Sequence, residues 1–291
     1  MTTRWANDGK AAESSSLMGF QTLPASNGDD DRPWWLYALI VIGLSIAAVI
    51  AVNDLYAQVF TVVARGIWVT IFVTIIAFAL ACGLGLLISL AGLSDNIALR
   101  QTARFYVEVV RGVPILVLLF YIAFVGAPGL VSLYNFAITP LVDGGWMEPA
   151  QVRDLSLMWR AIIALTIGYS AFIAEIFRAG FQSVDRGQIE AAMALGLSRS
   201  QRFRLIVFPQ AIRVIFPPLS NDFVSMVKDS SLVSVLGVAD ISQAGKIYAS
   251  GSFRFFETYS IVAYIYLILT IGLSIMLRKV EQRMREKGNR R

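Results

Sequence analysis

The sequence predicts an all-α membrane protein with about six transmembrane helices. Of its 291 residues, 56% are hydrophobic and 15% charged, and the mean hydropathy is +0.64, outside the balance of a water-soluble domain. A helix needs roughly 20 apolar residues to cross about 30 Å of hydrocarbon, and uncharged runs of span length fill 34–52, 66–94, 112–142 and 258–277. Two further apolar stretches carry charge: 161–181 with Glu175 and Arg178, and 216–238 with Asp222, Lys228 and Asp229. None of these stretches alternates polar and apolar residues as a spanning strand would, so the architecture is a helical bundle.

Residues 1–33, with "ESSS" and "NGDDD", are expected to form a disordered cytoplasmic tail, because nothing in them builds a core. The span at 34–52 is too long for a cleavable signal and lacks a small-residue exit site; Trp34 at its edge suits an interfacial anchor. The outer segment "NDLYAQVFTVVAR" leads to span two, where Gly83, Gly85 and Gly92 either let a neighbouring helix approach or reflect the frequency of glycine in membranes. Span three opens at "RGVPILV", with Pro114 near the first turn, where a missing N–H costs little. A long outer loop is expected over about 126–159, with three prolines and "DGGW"; it is a contact surface for something external or a solvated linker. The last span is followed by a basic tail, 278–291.

Orientation follows from lysine and arginine. With both termini in the cytoplasm, Arg65, Arg153, Arg160, Lys246 and Arg254 fall outside and Lys228 lies within a span. The rest of the 25 basic residues fall inside. The net charge of +5 is thus topogenic, and no nucleic-acid patch is read into it. The chain has no histidine and one cysteine, Cys82 in an apolar span. This removes Ser-His and Cys-His nucleophiles, histidine metal ligands and any disulfide. No phosphate-binding loop is present, since "AGKIY" lacks the first glycine and the hydroxyl residue. Asp222 and Asp229 share one segment, which argues against an intramembrane diaspartyl catalyst.

The inner segment at about 182–213 has order of its own. Asp185 to Gln188 and Ser198 to Gln201 each read as a capping box that starts a helix. Gly196 is the expected left-handed stop of the first helix, and Pro209 the expected end of the second. Three readings compete for this pair: an ordinary basic loop, a helix lying on lipid headgroups, and a docking element for a cytoplasmic partner. A lipid-lying helix wants large apolar anchors, and "EAAMALG" offers alanine, which favours docking.

"EAAMALGLSRSQRFRLIVFP" resembles the pattern E-A-A-x3-G-x9-I-x-L-P of the membrane subunits of ABC importers. Glu190, Ala191, Ala192, Gly196, Ile206 and Pro209 are in register, and Phe208 replaces the leucine. "VEVVRGVPILVLLF", "AFIAEIFRAGFQSVDRGQIEAA", "FPQAIRVIFPPLSNDF" and "KDSSLVSVLGVAD" resemble the polar amino acid branch of that family, and the likeness covers about 66–277. It implies a type I-like permease core at 66–277, preceded by an extra N-terminal span and outer loop at 34–65. It also implies two cytoplasmic ATPase subunits that carry ATP and Mg. A second permease subunit, identical or paralogous, and a periplasmic or extracellular amino-acid-binding protein complete the assembly. The chain itself would bind no cofactor and catalyse nothing, working as a multi-pass subunit in the inner (plasma) membrane of a bacterium.

On this resemblance Glu190, Arg199, Arg202 and Arg204 make charged contacts with an ATPase, Ala191 and Ala192 allow close seating, and Gly196 makes the bend. The alternative is a self-sufficient ion-coupled transporter or channel with an inverted repeat. Charges inside a span are functional suspects: the Lys228–Asp229 pair is either a structural helix break or part of the translocation path, with Asn221 and Ser225 lining a polar cavity. Glu175 and Arg178, three apart near an inner helix end, are expected to pair and order the coupling loop. The amino acid carried is not specified.

Overall fold

The computed structural model describes residues 34–289, so the expectation for 1–33 lies outside them. The chain divides into two compact units, one ending at Ser45 and the other beginning at Ile46. Helix α1 (Trp34–Val52) opens the described residues, its Trp34 ring edge-on to Tyr37.

The second unit is helical throughout its long elements, five of which are long and apolar enough to cross a membrane; the stretch Tyr37–Val52 is a shorter apolar helix. The segment expected as an outer connection is itself a helix, α2 (Asp54–Ala64), whose Asn53 cap accepts from the Leu55 N–H at 3.0 Å. Helix α3 (Ile67–Gly92) buries Val73, Ala77, Ala81, Gly85 and Ser89, one residue in every four. This ridge of mostly small side chains lies against α7 (Leu157–Gln182). Within lipid, helices associate through packing instead of through the expulsion of water, so small ridges determine the contact. A Cβ at Gly85 would lie 2.9 Å from Ile173 Cγ2 and from the Ser170 carbonyl oxygen, whereas one at Gly83 would meet nothing. Of the three glycines in span two, Gly85 is therefore the close-packing one.

Helix α4 (Ile97–Gly112) was not expected as an element. It is capped by Asn96, buries Ala103, Val107 and Val110 on one face, and is fastened to α7 by the Tyr106 hydroxyl, 2.8 Å from Ser170 Oγ. Pro114 is the cap of α5 (Ile115–Tyr121), which runs through a π turn into α6 (Ala127–Asp143).

The expected outer loop at 126–159 is accordingly wrong over its first half. Pro128 follows the π turn Ile122–Gly126, whose wider winding accommodates a residue with no N–H to donate, and Pro140 is tolerated one turn before the end. The remaining connection is pinned by Asn135, whose side chain donates to the Ala150 carbonyl and accepts from its N–H, both at 2.8 Å.

After α7 come α8 (Arg186–Ala194), α9 (Arg199–Arg202), α10 (Phe208–Asp229), α11 (Ile241–Ser252) and α12 (Phe255–Asn289). The basic segment at 278–289 is a continuation of α12. Helix α11 also went unread in the sequence. Its cap Asp240 is fully buried, accepting from the Gln243 N–H at 2.8 Å and from the Tyr266 hydroxyl at 3.1 Å. Burial holds the Asp240 carboxyl above the ordinary carboxylate range, against the lowering effect of those hydrogen bonds. Here α3 approaches so closely that a Cβ on Gly66 would lie 2.4 Å from the Asp240 carbonyl carbon.

Candidate functional site

Two arrangements stand out, a helical turn at one end of α7 and α10 and a cavity between them. In the turn, Asp185 Oδ1 accepts from the Gly187 N–H at 2.6 Å and starts α8. The expected reciprocal bond from Gln188 is not made, because its side-chain oxygen accepts instead from Gln210 Nε2 and so ties α8 to α10. Helix α8 ends as its carbonyls require: the Leu197 N–H donates to Ala192 O at 3.1 Å and the Gly196 N–H to Met193 O at 2.9 Å. Gly196 between them has φ +73°, the left-handed conformation glycine adopts without penalty. Ser198 and Gln201 then form a complete capping box that starts α9.

Pro209 does not end that helix. A π turn over Phe203–Val207 joins α9 to α10, and Pro209 lies in the first turn of α10. The wider π turn absorbs a residue that has no N–H to donate.

The turn has an inner and an outer face. Ala192 is buried, and Ile189 packs beside Val184, Ala211 and Ile215. Ala192 therefore faces its own chain, contrary to the seating surface expected of it; Ile189 and Ala192 are three apart and share the inward stripe. Exposed on the other side are Glu190, Ala191, Gly196, Arg199 and Arg204, with Arg202, Ile206 and Pro209 half-buried. Also exposed are Met193 and Leu195, the latter at 80%; large apolar residues inside an alanine run were the signal that sequence reasoning passed over. Along α7, Arg178 Nε donates to Glu175 Oε1 at 3.1 Å and its NH1 to Gln182 Oε1 at 3.0 Å.

The cavity, of 300 Å³, is bounded by α4, α5, α7 and α10 and has Asp222, Ser225 and Asp229 on one wall and Tyr169 and Phe172 on another. The Tyr169 hydroxyl donates to Asp229 Oδ2 at 2.7 Å, while Asp222 Oδ2 is buried with no hydrogen-bond partner among the described residues. The Arg111 guanidinium carbon lies 5.3 Å from the centre of the Phe172 ring, outside the lining.

The expected polar set is thus divided. Ser225 and Asp229 line this cavity, Asn221 lies in a separate one of 260 Å³ with Ser274 and Arg278, and Lys228 is exposed and makes no ion pair with Asp229. Successive residues of a helix diverge by 100°, so adjacency never made Lys228 and Asp229 a pair. Asp222 and Tyr169 were missing from the expected set; the i, i+3, i+7 spacing of Asp222, Ser225 and Asp229 was the legible sign of a polar stripe.

A multi-pass helical bundle with a polar cavity inside and a capped helical turn at one end is the build of a membrane transport subunit. The chain belongs to the family described as the inner membrane component of binding-protein-dependent transport systems, which matches residues 81–286. It is 37% identical to a probable amino-acid permease protein, YxeN, of Bacillus subtilis over 74% of this chain and 88% of that one. It is 33% identical to the glutamine transport system permease protein GlnP of Escherichia coli over 76% and 92%. A crystal structure of an amino acid ABC transporter with histidines superposes with a TM-score of 0.63 at 36% identity, covering 78% of this chain and 95% of that one. Inward-facing structures of the MetNI methionine ABC transporter, at 19% identity and a TM-score of 0.56, share the fold.

Proposed function

We infer that this chain is the translocating subunit of an ATP-driven importer of polar amino acids and that its cargo is cationic. The observation that carries the first part is the turn from α8 to α9: its inner face is packed on α7 and α10, and its outer face presents Glu190, Ala191, Met193, Leu195 and Arg199 to a partner. The relatives named as permeases of glutamine and other amino acids support the same reading.

Two cytoplasmic ATPase subunits seat these turns, one on this chain and one on a second permease subunit, and an external binding protein delivers the cargo. ATP and Mg belong to the ATPases; the permease holds neither and catalyses nothing. Both termini are cytoplasmic. When the ATPases close, each turn moves as a rigid lever, because Gln188–Gln210 and the Val184–Ile215 packing couple it to α10, and the two permease halves rock between inward- and outward-facing states. The Glu175–Arg178–Gln182 chain keeps the end of α7 ordered where it enters the turn.

The cavity supports the charge assignment. Asp222 and Asp229 line it, with no lysine or arginine among the lining residues, so it favours an ammonium or guanidinium over a carboxylate. Co-purification with an ATPase, and uptake of labelled arginine or lysine that needs ATP, the ATPase and the binding protein together, tests the reading. Uptake by the permease alone would replace it with an ion-coupled transporter. Preference for glutamate over arginine would sink the charge assignment while leaving the importer standing.

A further inference from the structure

We propose that the cavity between α10 and α12 holds the phosphodiester of an inner-leaflet phospholipid, and that this lipid splints α10 between the coupling turn and the acidic cavity. The proposal rests on the reading of the chain as a permease with cytoplasmic termini, which sets the leaflet. The cavity of 260 Å³ takes Ser220 and Asn221 from α10 and Ser274, Arg278 and Glu281 from α12. Ser220 Oγ is buried there with no hydrogen-bond partner among the described residues. Helical serines commonly return that bond to their own backbone, as Ser274 does to Thr270 O at 2.7 Å. Asn221 and Arg278 are exposed and likewise make no hydrogen bond or ion pair among the described residues. A hydroxyl, an amide and a guanidinium thus border one empty space, and all three can donate. The ligand they fit is an oxyanion.

Glu281 in the same lining limits the charge of that oxyanion. One guanidinium beside one carboxylate favours the single negative charge of a phosphodiester over free phosphate or a monoester, which carries about 1.5 to 2 at pH 7. Depth names the source. The uncharged run 258–277 ends one residue before Arg278, so the guanidinium lies where hydrocarbon gives way to headgroups, and Ser274 lies one turn deeper. Ile275 and, two turns further in, Ile268 are exposed on α12, where acyl chains attached to the phosphate would lie. Basic pockets between transmembrane helices on the cytoplasmic side are a recurring form of lipid headgroup site.

The position gives the lipid a task. Pro217 and Pro218 lie inside α10 and have no N–H to donate to the carbonyls of Arg213 and Val214, which weakens the helix there. That weak turn stands between Gln210, tied to the coupling turn, and Asp222 in the acidic cavity. A phosphate bonded to Ser220 and Asn221 on one side and to Arg278 on the other fastens α10 to α12 just beyond the prolines. Movement of the coupling turn then reaches Asp222 instead of being absorbed in a bend.

The test uses the assembled transporter in dodecyl maltoside, titrated with phosphatidylglycerol, with bound lipid counted by native mass spectrometry. Wild type should hold one tightly bound lipid per copy of this chain. Arg278→Gln should need about tenfold or more lipid for the same occupancy, the loss expected for one charge-assisted bond, and Ser220→Ala about threefold or more. Lys279→Gln, which removes an exposed charge outside the cavity lining, should bind like wild type. Neither inorganic phosphate nor dioleoylglycerol, which has the chains without the phosphate, should displace the lipid. Equal weakening in Arg278→Gln and Lys279→Gln would reduce binding to general attraction by a basic helix end and overturn the site. So would displacement by inorganic phosphate or by dioleoylglycerol. In phosphatidylglycerol-containing proteoliposomes Arg278→Gln should hydrolyse more ATP per arginine imported than wild type, and unchanged coupling alongside lost binding would overturn the splint. Absence of ATP-driven uptake by wild type would count against the functional reading itself, whereas the lipid count needs no transport and is decided separately.

Discussion

Gly196 allows the backbone and the surface of the coupling turn to be tested apart. Its φ of +73° penalises any side chain, yet a Cβ built there meets no heavy atom within 4 Å. Inside this chain Gly196→Ala therefore costs only the left-handed backbone penalty, about 1 kcal/mol. Asn and Asp tolerate that conformation better than alanine, so a purely backbone effect would rank alanine as the worst of the three. Docking reverses the order. A methyl group intrudes little on an apposed ATPase, Asn intrudes more, and Asp adds a carboxylate whose unpaired burial costs several kcal/mol, enough for a loss of about tenfold or more. Gly196→Asp should insert and fold like wild type, retain ATP hydrolysis in the complex, and lose uptake, with Asn intermediate and Ala mildest. Uptake and hydrolysis measured side by side in proteoliposomes check this. Normal uptake by Gly196→Asp, or alanine ranking below aspartate, would refute the docking argument.

Gly66→Ala should destabilise by more than the 1–3 kcal/mol usual for overpacking, because the new methyl would lie 2.4 Å from backbone atoms of Asp240 and Ile241; an unchanged thermal midpoint of the purified protein would contradict the close approach. Tyr169→Phe removes the donor to Asp229, a bond to a carboxylate worth about 1.5–3 kcal/mol, and should weaken uptake of cationic cargo while basal ATP hydrolysis persists; equal uptake kinetics would remove Tyr169 from the path. Asp240 has a raised folded pKa, so the native state holds its proton longer than the unfolded chain does. Its contribution is present at low pH and is lost as pH rises from the ordinary carboxylate value through the raised one. As pH rises above the ordinary carboxylate value, the thermal midpoint of wild type should fall more than that of Asp240→Asn, and parallel profiles would show that Asp240 does not titrate in this way.

Local chemistry made part of this protein readable. The Ser198 and Gln201 side chains cap a helix by reaching their own backbone, and Gly196 turns left-handed because of what it lacks; neither needs a distant neighbour. The apolar runs are legible for the same reason, since bilayer thickness fixes their length. Pro209 misled because a proline signals only a missing donor, and the π turn that absorbs it belongs to the continuous path from α9 into α10. The outer loop misled in a similar way: Pro128 and Pro140 look like punctuation but occupy tolerated positions in α6.

Composition, hydrophobic runs and charge asymmetry determined by themselves that the chain is a multi-pass helical membrane protein with a polar, glycine-hinged turn, because bilayer thickness and backbone hydrogen bonding act on every residue locally. Only the tertiary structure decided which side chains meet. It turned Ala192 inward and Leu195 outward, joined Tyr169 to Asp229 across 60 residues, separated Lys228 and Asn221 from the cavity, and left Asp222 and Ser89 with unpartnered oxygens. Those outcomes depend on how α3, α4, α7 and α10 are rotated against one another. That rotation is fixed by small-residue contacts such as Gly85 on Ile173, which carry no signal until both helices are in place.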